Sequence, residues 1–389
     1  MCDPLALFLG IILPTVFRET TKTKFGVFNS GIVRLSHYER DKELLREVGP
    51  ESLRTDLGWG APWIGWPKDP VGGTEEDIEY DFSDMDAIAE LLNKHNVLPY
   101  WSYCYTPIPL QVPPGNWQSV PSSFAKWGEI LGEFASHHRH CNPPNPVGYH
   151  EVHNEPDNFE IFFVGQLNDY LQMYFHGAQA IRRADPEAMV GGPALAFTPS
   201  WIAPFLDYVT EHRLPLDFFS FHFYGTVGWE NRDFPAVLNL VRENFADRPE
   251  YAMTELHLNE YHSFDLPFPA GGVQEKYSLA SALLRDFKYF LAQPDLTLVH
   301  WAQFMDSGQG NFSGMVSIDG RRRAAFNAYK IYTMMPVDRY RVAIEGPEGL
   351  DAMASSDSHR SSLVVWSRAT GDAEIEVSLH NVPFPKGHL

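Results

Sequence analysis

Cysteine is nearly absent from this chain: three in 389 residues, at Cys2, Cys104 and Cys141. They are too few for a disulfide scaffold and too scattered for a metal-ligand spacing. Their odd number leaves one thiol unpaired within a single chain, which favours a reducing compartment, with secretion as the alternative. Basic residues are also scarce, with 30 Lys and Arg against 50 Asp and Glu and a net charge of −20. So acidic a protein is a poor holder of a phosphate backbone, and no nucleic-acid partner is expected. Long apolar runs are missing. Leu5 to Val16 is interrupted by Gly10, Pro14 and Thr15 and is too short to span a bilayer. It has no basic region before it, so stable membrane insertion is not expected and a secretory signal is poorly supported. A buried N-terminal strand is the alternative. There is no glycine-rich nucleotide loop and no internal repeat.

Apolar residues make up 44% of the chain and charged residues 21%, enough apolar material for a large packed core. Aromatics are plentiful, with 10 Trp, 17 Tyr and 27 Phe. Several fall beside polar residues at strand ends, where a sugar ring can stack.

The pattern from Lys24 to Met335 alternates short strands with longer helical stretches. Strands are expected at Lys24–Asn29, Ser52–Leu57, Val97–Tyr103, Val147–Val152, Ala188–Pro193, Phe218–Tyr224, Tyr251–Leu256 and Leu298–Phe304. Between them, stretches such as Ser83–His95 carry apolar residues at helical spacing (Met85, Ile88, Leu91, Leu92). Eight such units suit an α/β fold with a closed (β/α)8 barrel, the TIM barrel, over residues 24–335. An open doubly wound sheet is the alternative. After Met335 short alternating segments interrupted by Gly346, Pro347 and Gly371 predict a small β-rich accessory region over 336–389. Residues 1–23 are expected to pack against it.

Two glutamates stand at the ends of expected buried strands. Glu155 lies in Tyr149-His-Glu-Val-His-Asn-Glu-Pro-Asp157, and Glu255 in Tyr251-Ala-Met-Thr-Glu-Leu-His257. In a barrel they follow strands four and seven, and barrel active sites lie at the C-terminal strand ends. Two facing carboxyls are what glycosidic cleavage needs: one protonates the leaving oxygen, the other attacks or activates water.

The element Asn154-Glu155-Pro156-Asp157 resembles the acid/base loop of the retaining barrel glycoside hydrolases. With Val190-Gly-Gly-Pro-Ala194, His222 and Tyr224, Thr254-Glu255 and Trp301, the chain is most similar to glycoside hydrolase family 39, which includes β-xylosidases and α-L-iduronidases. The resemblance implies that Glu155 is the general acid/base and Glu255 the nucleophile. It further implies an oligosaccharide or small glycoside as substrate, best a β-xyloside, and a bond from Asn154 to the sugar 2-hydroxyl. No cofactor is implied. His153 and Leu256 depart from the family, which often has tryptophan before Asn-Glu-Pro and after the nucleophile. Another sugar, or a binding barrel without turnover, are the alternatives.

Other residues have supporting readings. Arg54 is placed to orient Glu255. His222 and Tyr224 share a strand face and are placed to bond Glu255 or a sugar hydroxyl. Trp301 is the expected platform for a pyranose face, with Trp101, Tyr103 and Phe304 as lesser candidates. His150, Glu151 and His153, with His257 or His222, form no recognised metal motif, and no metal is expected. Asn311-Phe-Ser313 is a formal glycosylation acceptor.

Overall fold

The structure, a computed structural model, describes residues 6–11, 24–30, 35–62, 64, 66–141, 145–225, 228–263, 277–306, 314–340, 342–346, 348–368 and 374–379. The glycosylation acceptor at Asn311 and the expected helix start at Val273 lie outside the described residues.

Eight strands build a closed parallel barrel in the order the chain makes them. They are β1 (Lys24–Asn29), β2 (Ser52–Asp56), β3 (Leu98–Tyr103), β4 (Tyr149–Val152), β5 (Met189–Leu195), β6 (Phe218–Phe223), β7 (Glu255–Tyr261) and β8 (Leu296–Ala302). The intervening helices are α1 (Leu35–Val48), α2 (Ser83–Lys94), α3 (Phe124–His140), α4 (Leu167–Ala184), α5 (Ile202–His212), α6 (Phe234–Phe245) and α7 (Tyr277–Leu291), with α8 (Ala324–Thr333) after the last strand. Local sequence sets several starts. The Ser123 side chain accepts from Lys126 N at α3, and Asp233 accepts from Ala236 N at α6, satisfying N–H groups a helix cannot satisfy itself.

The lumen is filled in layers. Tyr100, Tyr149, Phe218 and Leu298 form an apolar plug near the strand starts. Above it, His300 bonds Ser52 Oγ at 2.8 Å. Only glycine fits at position 26, because a Cβ there would lie 2.4 Å from the His300 ring. The next layer is polar and centres on Arg54. Alternation along β2 thus sends Ser52, Arg54 and Asp56 inward while Leu53 and Thr55 face out.

The chain divides into two compact units. One, Lys24–Gly271 with Asp295–Arg321, holds all eight barrel strands. The other contains Met1–Thr23, Gly272–Pro294 and Arg322–Leu389. Within it, strand Ala6–Ile11 pairs antiparallel with Ala343–Ile344 and parallel with Glu374–Leu379. Arg339–Tyr340, Leu350–Ser356 and Ser361–Ser367 form a second antiparallel sheet. The sequence pattern puts one boundary near 335; the units instead group α7 and α8 with the terminal strands. Lys288 of α7 pairs with Asp351, which is one tie within that unit. Among the described residues no helix is long and apolar enough to cross a membrane.

Candidate active site

The chain turns sharply where β4 ends. His153 (φ 73°) and Glu155 (φ 44°) both take left-handed backbone, uncommon for residues with a Cβ. The turn is held from the side. The Asp157 carboxyl accepts the backbone N–H groups of Ala196, Phe197 and Thr198 at 2.9, 2.8 and 2.7 Å, tying this loop to the segment after β5. Glu155 is 5% exposed. Its Oε2 accepts from Asn158 Nδ2 at 2.7 Å, and its Oε1 is hydrogen-bonded with Nδ1 of His222 at 2.7 Å.

The carboxyl opposite Glu155 belongs to Glu260. In β7, Leu258 lies opposite Phe221 of β6 and Glu260 opposite His222, so one extra residue, Asn259, is inserted. A bulge of this kind interrupts alternation. Asn259 reaches the lumen and donates to Tyr100 OH at 3.1 Å, and the next residue, Glu260, reaches it too. Glu260 Oε1 accepts from Arg54 Nη1 at 2.7 Å and Oε2 from Tyr224 OH at 2.6 Å. One oxygen of Glu155, one ring nitrogen of His222 and one oxygen of Glu260 lie within 4.8 Å of one another.

Glu255 is elsewhere. It opens β7 opposite Phe218, the first residue of β6, and is bonded by Tyr149 OH at 3.1 Å and His257 Nε2 at 2.9 Å. Glu260 is five positions further along the strand, roughly 15 Å at the usual rise. The structure thus does not bring the expected Glu255 to Glu155; the carboxyl it brings there is that of Glu260. The sequence pattern predicts this strand from Tyr251, but Pro249–Tyr251 is a 3₁₀ turn and the strand starts at Glu255, its N-terminal end. Leu256 and Leu258 alternating with His257 and Asn259 is the pattern that marks the true strand.

Arg54 is fully buried and organises the site. Nε donates to Glu151 Oε2 at 2.7 Å, Nη1 to Glu260, and Nη2 to Asn154 Oδ1 at 2.8 Å and Ser102 Oγ at 3.2 Å. It orients Glu260, not Glu255. Burial works against its charge, but Glu151, Asp56 and Glu260 outweigh that and hold the guanidinium protonated. His222 and Tyr224 do share a face, and they serve Glu155 and Glu260 respectively.

The other expected residues divide by strand parity. Trp301 is buried against Tyr261 and His262, ring centroids 5.4 and 4.5 Å away, while its neighbour His300 takes the lumen position. Trp101 donates to His138 Nε2 of α3 at 3.1 Å, and Tyr103 bonds His150 Nδ1 at 2.7 Å and stacks on Trp59. These side chains lie behind the barrel wall, turned away from the lumen. Phe304 is fully buried. His153 sits among the rings of Tyr105, Trp127, Phe163 and Tyr170, with Nδ1 2.9 Å from Asn154 O. Parity also splits His150, which faces out, from Glu151, which faces in.

Burial pushes the Glu155 carboxyl up to about 7, against the pull of Asn158 and Arg54. Burial raises Glu260 too, opposed by His222, Arg54 and the Tyr224 hydroxyl. The guanidinium contact falls on Glu260 and favours its anion. His222 is lowered by burial and is neutral. Glu155, His222 and Glu260 are the one group of described residues spaced to hold a cation. Arg54 already occupies Glu260 as its counter-ion, which disfavours a divalent ion there.

A parallel eight-stranded barrel with two carboxyls facing each other at the C-terminal strand ends has the build of a barrel glycoside hydrolase. The family model for glycosyl hydrolases family 39 matches residues 34–248, and the chain belongs to that family. It is 24% identical over 370 residues to a β-xylosidase of Caldicellulosiruptor saccharolyticus, covering 88% of this chain and 71% of that protein. Among solved structures it is similar to the family 39 enzyme of Xanthomonas axonopodis pv. citri, with TM-score 0.71 and 20% identity over 96% of this chain and 77% of that one. A family 39 β-xylosidase of Caulobacter crescentus gives TM-score 0.71 at 19% identity, covering 92% and 80%.

Proposed function

We propose that the chain is a retaining β-xylosidase in which Glu260 is the nucleophile and Glu155 the acid/base. The observation that carries this is the close approach of the two buried carboxyls across His222. A spacing of about 5 Å suits direct attack and leaves no room for an intervening water. Glu155, held protonated by burial, gives its proton to the glycosidic oxygen as the bond breaks. Glu260, supplied with donors by Arg54 and Tyr224, attacks the anomeric carbon and forms a glycosyl ester. Glu155, now ionised, takes a proton from the water that cleaves the ester. Asn154, fixed by Arg54 Nη2, presents its amide beside the acid, where a 2-hydroxyl bond strengthens as ring charge develops.

The relatives named β-xylosidases support the sugar. The test is turnover of aryl β-xylosides beside arabinosides, glucosides, galactosides and uronides, with the first-formed anomer followed by NMR. β-Xylose as first product is expected. An inverted product excludes the double displacement, and preference for a different glycoside moves the sugar assignment.

A further inference from the structure

Four carboxyl groups surround Arg54, and three are well supplied with donors. Glu151 receives Arg54, Tyr100, Ser220 and Asn259. Glu260 receives Arg54 and Tyr224, and Glu155 receives Asn158 and faces His222. Asp56 differs. It is 4% exposed, and its Oδ1 lies 3.1 Å from Arg54 Nη1 as an ion pair without hydrogen-bond alignment. No described residue donates a hydrogen bond to its carboxyl. A buried carboxyl without donors is costly, and proteins seldom keep one without a use for it.

Its position gives that use. Asp56 is the last residue of β2, two beyond Arg54 on the same face and opposite Ser102 of β3. It stands at the C-terminal end of the lumen, and it and Glu260 approach the same guanidinium nitrogen. We propose that Asp56 is a substrate-binding residue that takes a ring hydroxyl of the sugar attacked by Glu260. The proposal rests on the glycosidase reading above. A hydroxyl supplies the donor that no described residue does. Burial pushes the Asp56 carboxyl well up, Glu260, Glu151 and Glu155 add to this, and Arg54 opposes it. The neutral form that burial favours both gives and takes a hydrogen bond, as a sugar hydroxyl does.

The experiment is a cycle between residue and substrate. Wild type, Asp56→Ala and Asp56→Asn are assayed on an aryl β-xyloside and its 2-, 3- and 4-deoxy analogues. Asp56→Ala is expected to lose about 10- to 100-fold in kcat/KM on the parent. One deoxy analogue should lose a similar factor with wild type and almost nothing further with Asp56→Ala, which is the signature of coupling. Asp56→Asn, which keeps an acceptor, should lose less. The Tm of Asp56→Ala should stay close to that of wild type, because no hydrogen bond from a described residue is removed and Arg54, though it loses this ion pair, keeps Glu151 and Glu260 as partners. Equal losses on all four substrates, or no loss on the parent, overturn the proposal. If wild type turns over no β-xyloside, the xylosidase reading has failed, and Asp56 is then judged by calorimetry of xylose with wild type and Asp56→Ala. Equal affinity there overturns the proposal as well.

Discussion

Glu155 and Glu260 face each other across one imidazole: Nδ1 of His222 lies 2.7 Å from Oε1 of Glu155 and 3.7 Å from Oε2 of Glu260. Neither glutamate can change charge without the other feeling it. Glu260→Gln should therefore cut turnover by about 10³-fold or more, since an amide cannot attack the anomeric carbon. Glu255→Gln should leave kcat/KM within a few-fold of wild type, because that carboxyl bonds Tyr149 and His257 near the strand starts. Assays of both variants on one aryl glycoside decide the matter. Loss in Glu255→Gln with activity kept in Glu260→Gln would reverse the assignment made from the geometry.

Glu155 links pH to both activity and stability. Burial lifts its carboxyl to about 7 from the ordinary 4.5. The acid form is the proton donor, so kcat/KM should fall as pH rises through about 7. The folded state holds this proton more tightly than the unfolded chain does. The associated stability is fully present below about 4.5 and is lost as pH rises through about 7. Glutamine is uncharged throughout. Glu155→Gln should thus melt higher than wild type near pH 8, with the gap closing toward pH 5. Thermal melts at the two pH values test this, and no gap near pH 8 would mean that the ionised Glu155 is well solvated.

Arg54 is the counter-charge for Glu151, Glu260 and Asp56 together. Arg54→Met would leave three buried carboxyls facing one another, at a cost of about 3–5 kcal/mol, and should give a much lower Tm. Arg54→Lys keeps the charge, but one compact ammonium cannot occupy the separate positions of Nε, Nη1 and Nη2 that reach Glu151, Glu260 and Asn154. Its active fraction should show a lower kcat/KM. The acid limb of its pH profile should move to higher pH, because Glu260 loses part of the contact that favours its anion. An unmoved acid limb would show that Glu260 is ionised without help from Arg54.

The barrel and Glu155 are readable in the sequence for physical reasons that do not extend to Glu260. Strand-helix alternation is a repeated signal, and an error of a few residues in one unit does not alter the count of eight. Glu155 stands in a compact local motif, where two residues of left-handed backbone and the Asp157 clamp all fall within five positions of sequence. Glu260 depends on a strand start and on a bulge. The proline-led turn at 249–251 resembles a strand entry, and the extra residue at Asn259 breaks the two-residue period that would otherwise turn Glu260 outward. Asp56 is readable as to side, since it follows Arg54 by two. Its lack of donors depends on side chains from several strands and has no sequence signal.

Trp301 is where parity can be tested directly. As a sugar platform it would form part of the binding free energy, and its removal would raise KM. In the structure its ring lies against Tyr261 and His262, 1% exposed, with His300 on the lumen side of the strand. Trp301→Phe should therefore leave KM within about twofold and act on stability, costing about 1–3 kcal/mol for the lost volume in a packed layer. Trp101→Phe should behave alike, with the bond to His138 lost as well. Michaelis constants and melts on the same preparations separate the two roles. A KM raised tenfold or more by Trp301→Phe at unchanged Tm would place the indole against the substrate and overturn the parity of β8, in which His300 faces the lumen and Trp301 faces away.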